Sequence, residues 1–295
     1  MKRFLVLPLC SMLLCTPAQE EKEPKVQKAE TKPAGQDTSW LSRYDVSDKK
    51  PLSFKLPGRI SEASGLAMSE DGKLFCHDDE RGVVYQLDYR TGKIVKQFSV
   101  GAFTISGDFE GIAVKEDTMF LVASNGDIVQ FREAKNDEHV SYQVLKTRLT
   151  AGYDVEGLEY DAETDCLLLA CKGYAGKGLS DYKAVYSFSL KTRTMLEKPR
   201  FLISLKELKK GSKKKKFNPS GIARHPTSGT FFIVAAEGRS VIEIDSEGNL
   251  LAQEEIPKKT NRQPEGITFA PDLTMIICND GQGGRGTLTM YPLKK

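Results

Sequence analysis

Histidine is almost missing from this chain: three occur in 295 residues, with one tryptophan and six cysteines. So few imidazoles exclude a His-rich zinc centre, and the cysteines are too sparse for a disulfide framework. An excess of charge of one sign is missing too. Forty-three Lys and Arg face forty Asp and Glu, a net +3, without the basic excess by which nucleic-acid binders neutralise phosphates. No nucleic-acid partner is expected. Beyond the first fifteen residues no run approaches the roughly eighteen apolar residues of a membrane-spanning helix, and no Gly-x-Ser-x-Gly nucleophile elbow occurs. The chain that remains is 39% hydrophobic and 28% charged, long enough to bury a sizeable core.

Lys2 and Arg3 precede an apolar run from Phe4 to Cys15, and Thr16-Pro17-Ala18 place small residues where a signal peptidase reads. Residues 1–18 are therefore expected to direct export, to the periplasm or cell envelope. Two readings of this segment stay open: simple cleavage, or lipidation of Cys15 to give a membrane-anchored lipoprotein, with Leu14 bulkier than the residue usual before such a cysteine. Residues 19–43 are expected to form a disordered tether, since Gln19 to Asp37 is mostly Glu, Lys, Gln, Pro and Ala. The folded domain is expected over 44–295, as a monomer. Its four cysteines, Cys76, Cys166, Cys171 and Cys278, read as small buried thiols.

Self-similarity organises that domain. Ala63-Ser64-Gly65-Leu66-Ala67, Phe109-Glu110-Gly111-Ile112-Ala113, Val155-Glu156-Gly157-Leu158-Glu159, Pro219-Ser220-Gly221-Ile222-Ala223 and Pro264-Glu265-Gly266-Ile267-Thr268 place glycines 46, 46, 64 and 45 residues apart. Short β-rich runs and turn residues follow each glycine, a pattern of four-stranded blades rather than helical repeats. The class is all-β, a five-bladed β-propeller. The fifth repeat supplies only three strands, so Leu52 to Leu56 is expected to close the ring as the fourth strand of the last blade and leave no long open edge. The 64-residue interval holds an insertion ending in Lys206 to Lys216, seven lysines in eleven positions; it reads either as a solvated loop or as a contact for anionic lipid or polysaccharide. Gly281 to Gly286 lacks the Lys-Ser or Lys-Thr pair and helix pattern of a phosphate loop, and reads as a loop between strands.

Oxygen-bearing side chains recur beside each glycine. The nearer set is Ser64, Glu110, Glu156, Ser220 and Glu265; two residues earlier stand Glu62, Asp108, Asp154, Asn218 and Gln263. Residues two apart on a strand share a face, and the first strand of a blade lines the central channel, so both sets are expected to face one axis. Three glutamates converging there repel, about 3 kcal/mol for a pair roughly 6 Å apart at an effective dielectric of 20, and a cation would relieve this. Oxygen-only donors spread over separate blades suit calcium rather than zinc or magnesium. The expected site is Glu110, Glu156 and Glu265, completed by Ser64 and Ser220; the competing reading has these residues bond backbone amides around a water-filled channel.

The order of these motifs resembles the SdiA-regulated family, bacterial envelope proteins distantly related to NHL-like repeat propellers: a Ser-Gly-Leu repeat, then Phe-Glu-Gly-Ile-Ala, a second Glu-Gly, Pro-Ser-Gly and Pro-Glu-Gly-Ile. The resemblance covers about residues 50–293. It implies a five-bladed propeller with a bound calcium and no established reaction. The lysine-rich insertion and the glycine-rich segment depart from it. Two functions follow as expectations: an exported calcium-binding module of the cell envelope that holds a ligand or partner protein, and a metal-dependent hydrolase of small esters, lactones or phosphoesters. For the second, His77-Asp78-Asp79-Glu80 would sit near a blade edge, with His225 after an inner strand. No catalytic residue is assigned.

Overall fold

A computed structural model describes residues 39–211 and 216–294. The targeting segment with Cys15, most of the tether and the centre of the lysine-rich run lie outside the described residues. Strand β1, Leu52–Lys55, precedes the first blade, which is β2 (Ala63–Met68), β3 (Leu74–Asp78), β4 (Val83–Asp88) and β5 (Lys93–Val100). The second blade is β6 (Phe109–Lys115), β7 (Thr118–Ala123), β8 (Ile128–Arg132) and β10 (Tyr142–Leu145); the short β9, His139–Val140, pairs in parallel with β5 and hooks the two blades together. The third runs through β11 (Val155–Asp161), β12 (Cys166–Cys171) and β13 (Tyr182–Ser189), with its outer strand split into β14 (Thr194–Met195) and β15 (Phe201–Ser204). Helix α1, Leu205–Gly211, follows and accounts for the first part of the insertion. The fourth is β16 (Asn218–Arg224), β17 (Phe231–Glu237), β18 (Ser240–Ile244) and β19 (Leu250–Glu255).

The fifth blade is β20 (Pro264–Phe269), β21 (Met275–Asn279) and β22 (Thr287–Tyr291), and β1 completes it: Leu52 pairs antiparallel with Met290 and Lys55 with Thr287. The chain is thus an all-β, five-bladed β-propeller closed by an N-terminal strand, as the repeat spacing requires.

The blades stack face to face, so both faces of a middle strand are buried and its sequence is an unbroken apolar run. In β3, Leu74 and Cys76 pack toward the fifth blade while Phe75 packs toward the second. The same alternation builds five apolar clusters, one at each interface between neighbouring blades. Ser39 to Arg43, counted as the end of the tether, pack against the propeller instead. Leu41, Tyr44 and Val46 fill the interface between the fourth and fifth blades, and the fully buried Glu243 on β18 accepts hydrogen bonds from Ser39 Oγ (2.7 Å), Leu41 N (2.8 Å) and Thr230 Oγ1 (2.8 Å). The four cysteines are buried and free.

The repeated glycines mark where the inner strands meet around the axis. A Cβ on Gly221 would lie 2.6 Å from the Glu265 carbonyl oxygen, and one on Gly266 would lie 2.6 Å from Leu66 N. Backbone meets backbone there, and only hydrogen fits.

Candidate functional site at the channel

All five inner strands carry the same irregularity. Ala63 pairs with Asp78 and Gly65 with His77, which leaves Ser64 without a cross-strand partner; the break recurs at Glu110, Glu156, Ser220 and Glu265. A bulge of this kind kinks the strand and re-aims one side chain. The nearer oxygen set therefore converges. Its five residues, with their glycines, line one cavity of about 10 Å³, room for roughly a single water or ion.

Each member of the set also has a local partner. Ser64 Oγ donates to Glu110 Oε2 at 3.1 Å. Ser220 Oγ donates to the Pro264 carbonyl at 2.6 Å and accepts from Ala236 N at 3.1 Å, binding backbone on two neighbouring blades. Glu156 is paired with Lys172, Nζ to Oε1 2.6 Å. Gln263 lies beside Glu265, close enough for its side chain to oppose the rise in the Glu265 pKa. Burial, then the negative charges of Glu156 and Asp108, push Glu110 up to about 8, against the pull of its Ser64 hydrogen bond. Burial, then Glu156, likewise raise Glu265 to about 8. Burial also raises Glu156, opposed by the Lys172 hydrogen bond and charge. Two carboxyls are thus held as neutral acids near pH 7, and the third is neutralised by a lysine. As the side chains lie, no group of three His, Cys, Asp or Glu among the described residues forms a ready metal shell. The donor chemistry is nevertheless that of a hard cation: oxygen atoms only, in a cavity of single-ion size.

The farther oxygen set forms a more exposed rim, each residue opposite the end of its blade's second strand. Asp108 accepts from Ser124 N (2.9 Å) and Ser124 Oγ. Asp154, at φ 52°, stands 3.8 Å from Lys172 Nζ, and its carbonyl accepts from Lys172 N at 2.8 Å. Asn218 Nδ2 donates to Glu237, and Gln263 Oε1 accepts from Gln282 Nε2 at 2.7 Å. Glu62 faces Asp79, whose carboxyl is driven up to about 6 by burial, then by Glu62 and Asp78. Lys172 was not singled out in the sequence. Its signal was hairpin register: Cys171 pairs with Val155, which puts residue 172 beside Asp154 and within reach of Glu156.

His77 does not sit at a blade edge. It lies within β3, fully buried, paired with Gly65, and its Nε2 has no hydrogen-bond partner. A Cβ on Gly65 would lie 2.6 Å from that nitrogen. The residues opposite the other four glycines are Val122, Ala170, Val234 and Cys278, so His77 fills a packing position that takes small apolar side chains elsewhere. Burial lowers its pKa to about 4, against a hydrogen bond to the Asp78 backbone. His225 is equally enclosed. Its Nδ1 accepts from Ser228 N at 3.1 Å, which puts the proton on Nε2, 3.0 Å from Tyr44 Oη, and Tyr44 Oη in turn donates to the Leu273 carbonyl. It ties the N-terminal segment to the fourth blade.

No protein-family model matches the chain, and no curated protein sequence is similar to it. Solved structures share the propeller fold. A luciferin-regenerating enzyme superposes with a TM-score of 0.52 at 9% identity, covering 83% of this chain and 99% of its own. Glutaminyl cyclase from Myxococcus xanthus gives 0.52 at 12%, covering 83% and 96%. Aldose sugar dehydrogenase from Streptomyces coelicolor, in its PQQ-bound form, gives 0.50 at 12%, covering 83% and 99%. At such identities the likeness is one of fold: this chain is a β-propeller similar in architecture to these three proteins.

Proposed function

We propose that the protein is an exported, calcium-binding β-propeller of the SdiA-regulated kind, acting in the cell envelope as a module that holds a ligand or partner, with the ion in the channel at the glycine ring. One observation carries the reading: three buried or half-buried glutamates line a cavity of single-ion size, and Lys172 is the one cationic side chain among the described residues that pairs with any of them. Glu110 and Glu265 would hold the ion through carboxylate oxygens. Glu156 would join them as Lys172 turns to Asp154, and Ser64 or the Ser220 region would supply neutral oxygens. A bound calcium contributes positive charge where the blades meet and ties their inner strands together. Calorimetric titration with calcium tests this. One ion per chain is expected, with affinity on the order of 10⁻⁴ to 10⁻³ M as in extracellular modules, weakened at least tenfold by Glu110→Gln with Glu265→Gln; no binding heat in the parent would remove calcium from the reading.

The enzymatic reading has one group in its favour. Asp79 stands at the channel rim with a pKa raised to about 6, suited to a general base, whereas His77 and His225 are fully buried. A screen of lactones, phosphoesters and phytate with added calcium separates the two functions. Turnover abolished in Asp79→Asn would replace the binding module by a hydrolase.

A further inference from the structure

A second cavity, of about 450 Å³, lies at the outer half of the fifth blade, between β1, the connection from β19 to β20 and the glycine-rich loop that joins β21 to β22. Six cationic side chains line it: Lys49, Lys50, Lys55, Lys259, Arg262 and Arg285, against one acid, Asp280. They converge from three separate stretches of sequence, Lys49 to Lys55, Lys259 to Arg262 and the loop carrying Arg285, so the patch is a product of the fold and no single charge run signals it. Asp280 is already engaged, accepting from Gln282 N at 2.7 Å. None of the six cations makes an ion pair among the described residues. Arg285 alone is anchored, its Nε donating to the Leu56 carbonyl at 2.7 Å, which fixes its guanidinium in the wall.

Uncompensated like charges around one concavity repel, and a surface free to disperse them would gain by doing so. The floor is built as well as charged. Asn279, 2% exposed, donates from Nδ2 to Asn261 Oδ1 (3.0 Å), and Asn261 donates to Tyr291 Oη (2.6 Å). This buried polar chain leaves Asn279 Oδ1 without a partner, an acceptor in want of a donor. Ser53 and Thr287 add hydroxyls to the wall, and no aromatic side chain lines it.

We propose that this cavity binds a phosphorylated sugar carrying more than one phosphate. The volume falls within the range of roughly 300–1,000 Å³ typical of small-molecule sites. The charge selects phosphate over carboxylate: two phosphate monoesters bring about three to four negative charges, close to the cavity's excess of five (six cations less one acid), whereas a dicarboxylate brings two. Arginine forks and lysines are the side chains that take phosphate. The lack of an aromatic wall disfavours a nucleotide, whose base would have nothing to stack on, while the remaining hydroxyls and amide match a polyol.

Calorimetric titration of the full folded chain with fructose 1,6-bisphosphate tests the site, with pyrophosphate and fructose as the charge-only and sugar-only probes. The bisphosphate is expected to bind at least tenfold more tightly than pyrophosphate, and fructose not to bind. Lys259→Ser with Arg262→Ser, both exposed and away from the core, is expected to weaken binding at least tenfold while the thermal transition stays in place. Equal binding of pyrophosphate, no binding of the bisphosphate, or undiminished binding in the variant would overturn the proposal. Vesicles carrying a phosphorylated glycolipid distinguish the sources of this chemistry: co-sedimentation of the parent but not the variant assigns a lipid headgroup, and soluble binding without co-sedimentation assigns a free sugar phosphate.

Discussion

At the scale of single residues, His77 is the sharpest departure from the repeat. Its blade equivalents are small and apolar, and its buried Nε2 forgoes the hydrogen bond that a buried polar atom normally makes. The pKa near 4 lies below the ordinary value of 6.5, so between those values the unfolded chain takes up the proton and the native one does not. Stability that is present above pH 6.5 is therefore lost as pH falls toward 4, by about 3 kcal/mol from this residue, an order-of-magnitude figure. His77→Val, which installs the side chain found opposite Gly111 and Gly221, should stabilise the protein by roughly 1 kcal/mol at pH 7. It should also flatten part of the acid limb, leaving the contribution of His225. Urea denaturation at pH 7 and pH 4.5 measures both effects; an unchanged pH dependence in the variant would show that His77 titrates normally.

At the scale of the strand, the glycine and the residue before it form one device. The bulge turns Ser or Glu to the axis, and the glycine lets the next inner strand touch the backbone. Gly221→Ala would set a Cβ 2.6 Å from the Glu265 carbonyl oxygen, an atom fixed by its own blade, at an expected cost of about 1–3 kcal/mol from overpacking. Gly58→Ala, with nothing within 4 Å, should be nearly neutral. Chemical denaturation of the two variants checks the contrast, and equal stabilities would contradict the close approach. This device was legible in the sequence because it repeats: five glycines at blade spacing, each preceded by Ser or Glu, revealed blade number, inner strands and channel-facing residues together. Lys172, Glu243 and the basic cavity were not legible in the same way. Lys172 depends on the pairing of two strands, and Glu243 on a segment 202 residues away that the domain bounds left in the tether. The cavity depends on three stretches that only the closed ring brings together. The nearer oxygen set was foreseen as a group, but the hydrogen bonds of Ser220 to backbone follow from blade-to-blade geometry that a linear pattern does not carry.

At the scale of the whole molecule, ring closure sets cooperativity. β1 pairs with β22 along its full length, and the residues before it fill the seam between the fourth and fifth blades. Deleting residues 41–58 would expose the edge of β22 and empty that seam. The truncated chain is expected to lose its single cooperative unfolding transition in calorimetry; melting like the parent would show that the blades hold without the closure. The channel lies where all five blades meet, so its occupancy bears on the same transition. The proposed ion, held by Glu110, Glu156 and Glu265, would tie three blades at once and would add about 2.7 kcal/mol to stability at one hundred times its dissociation constant. The decisive measurement is the melting temperature in calcium and in chelator, for the parent and for Glu265→Gln. The account predicts a rise with calcium in the parent that is largely lost in the variant; an unmoved parent, or a variant that responds equally, would contradict it.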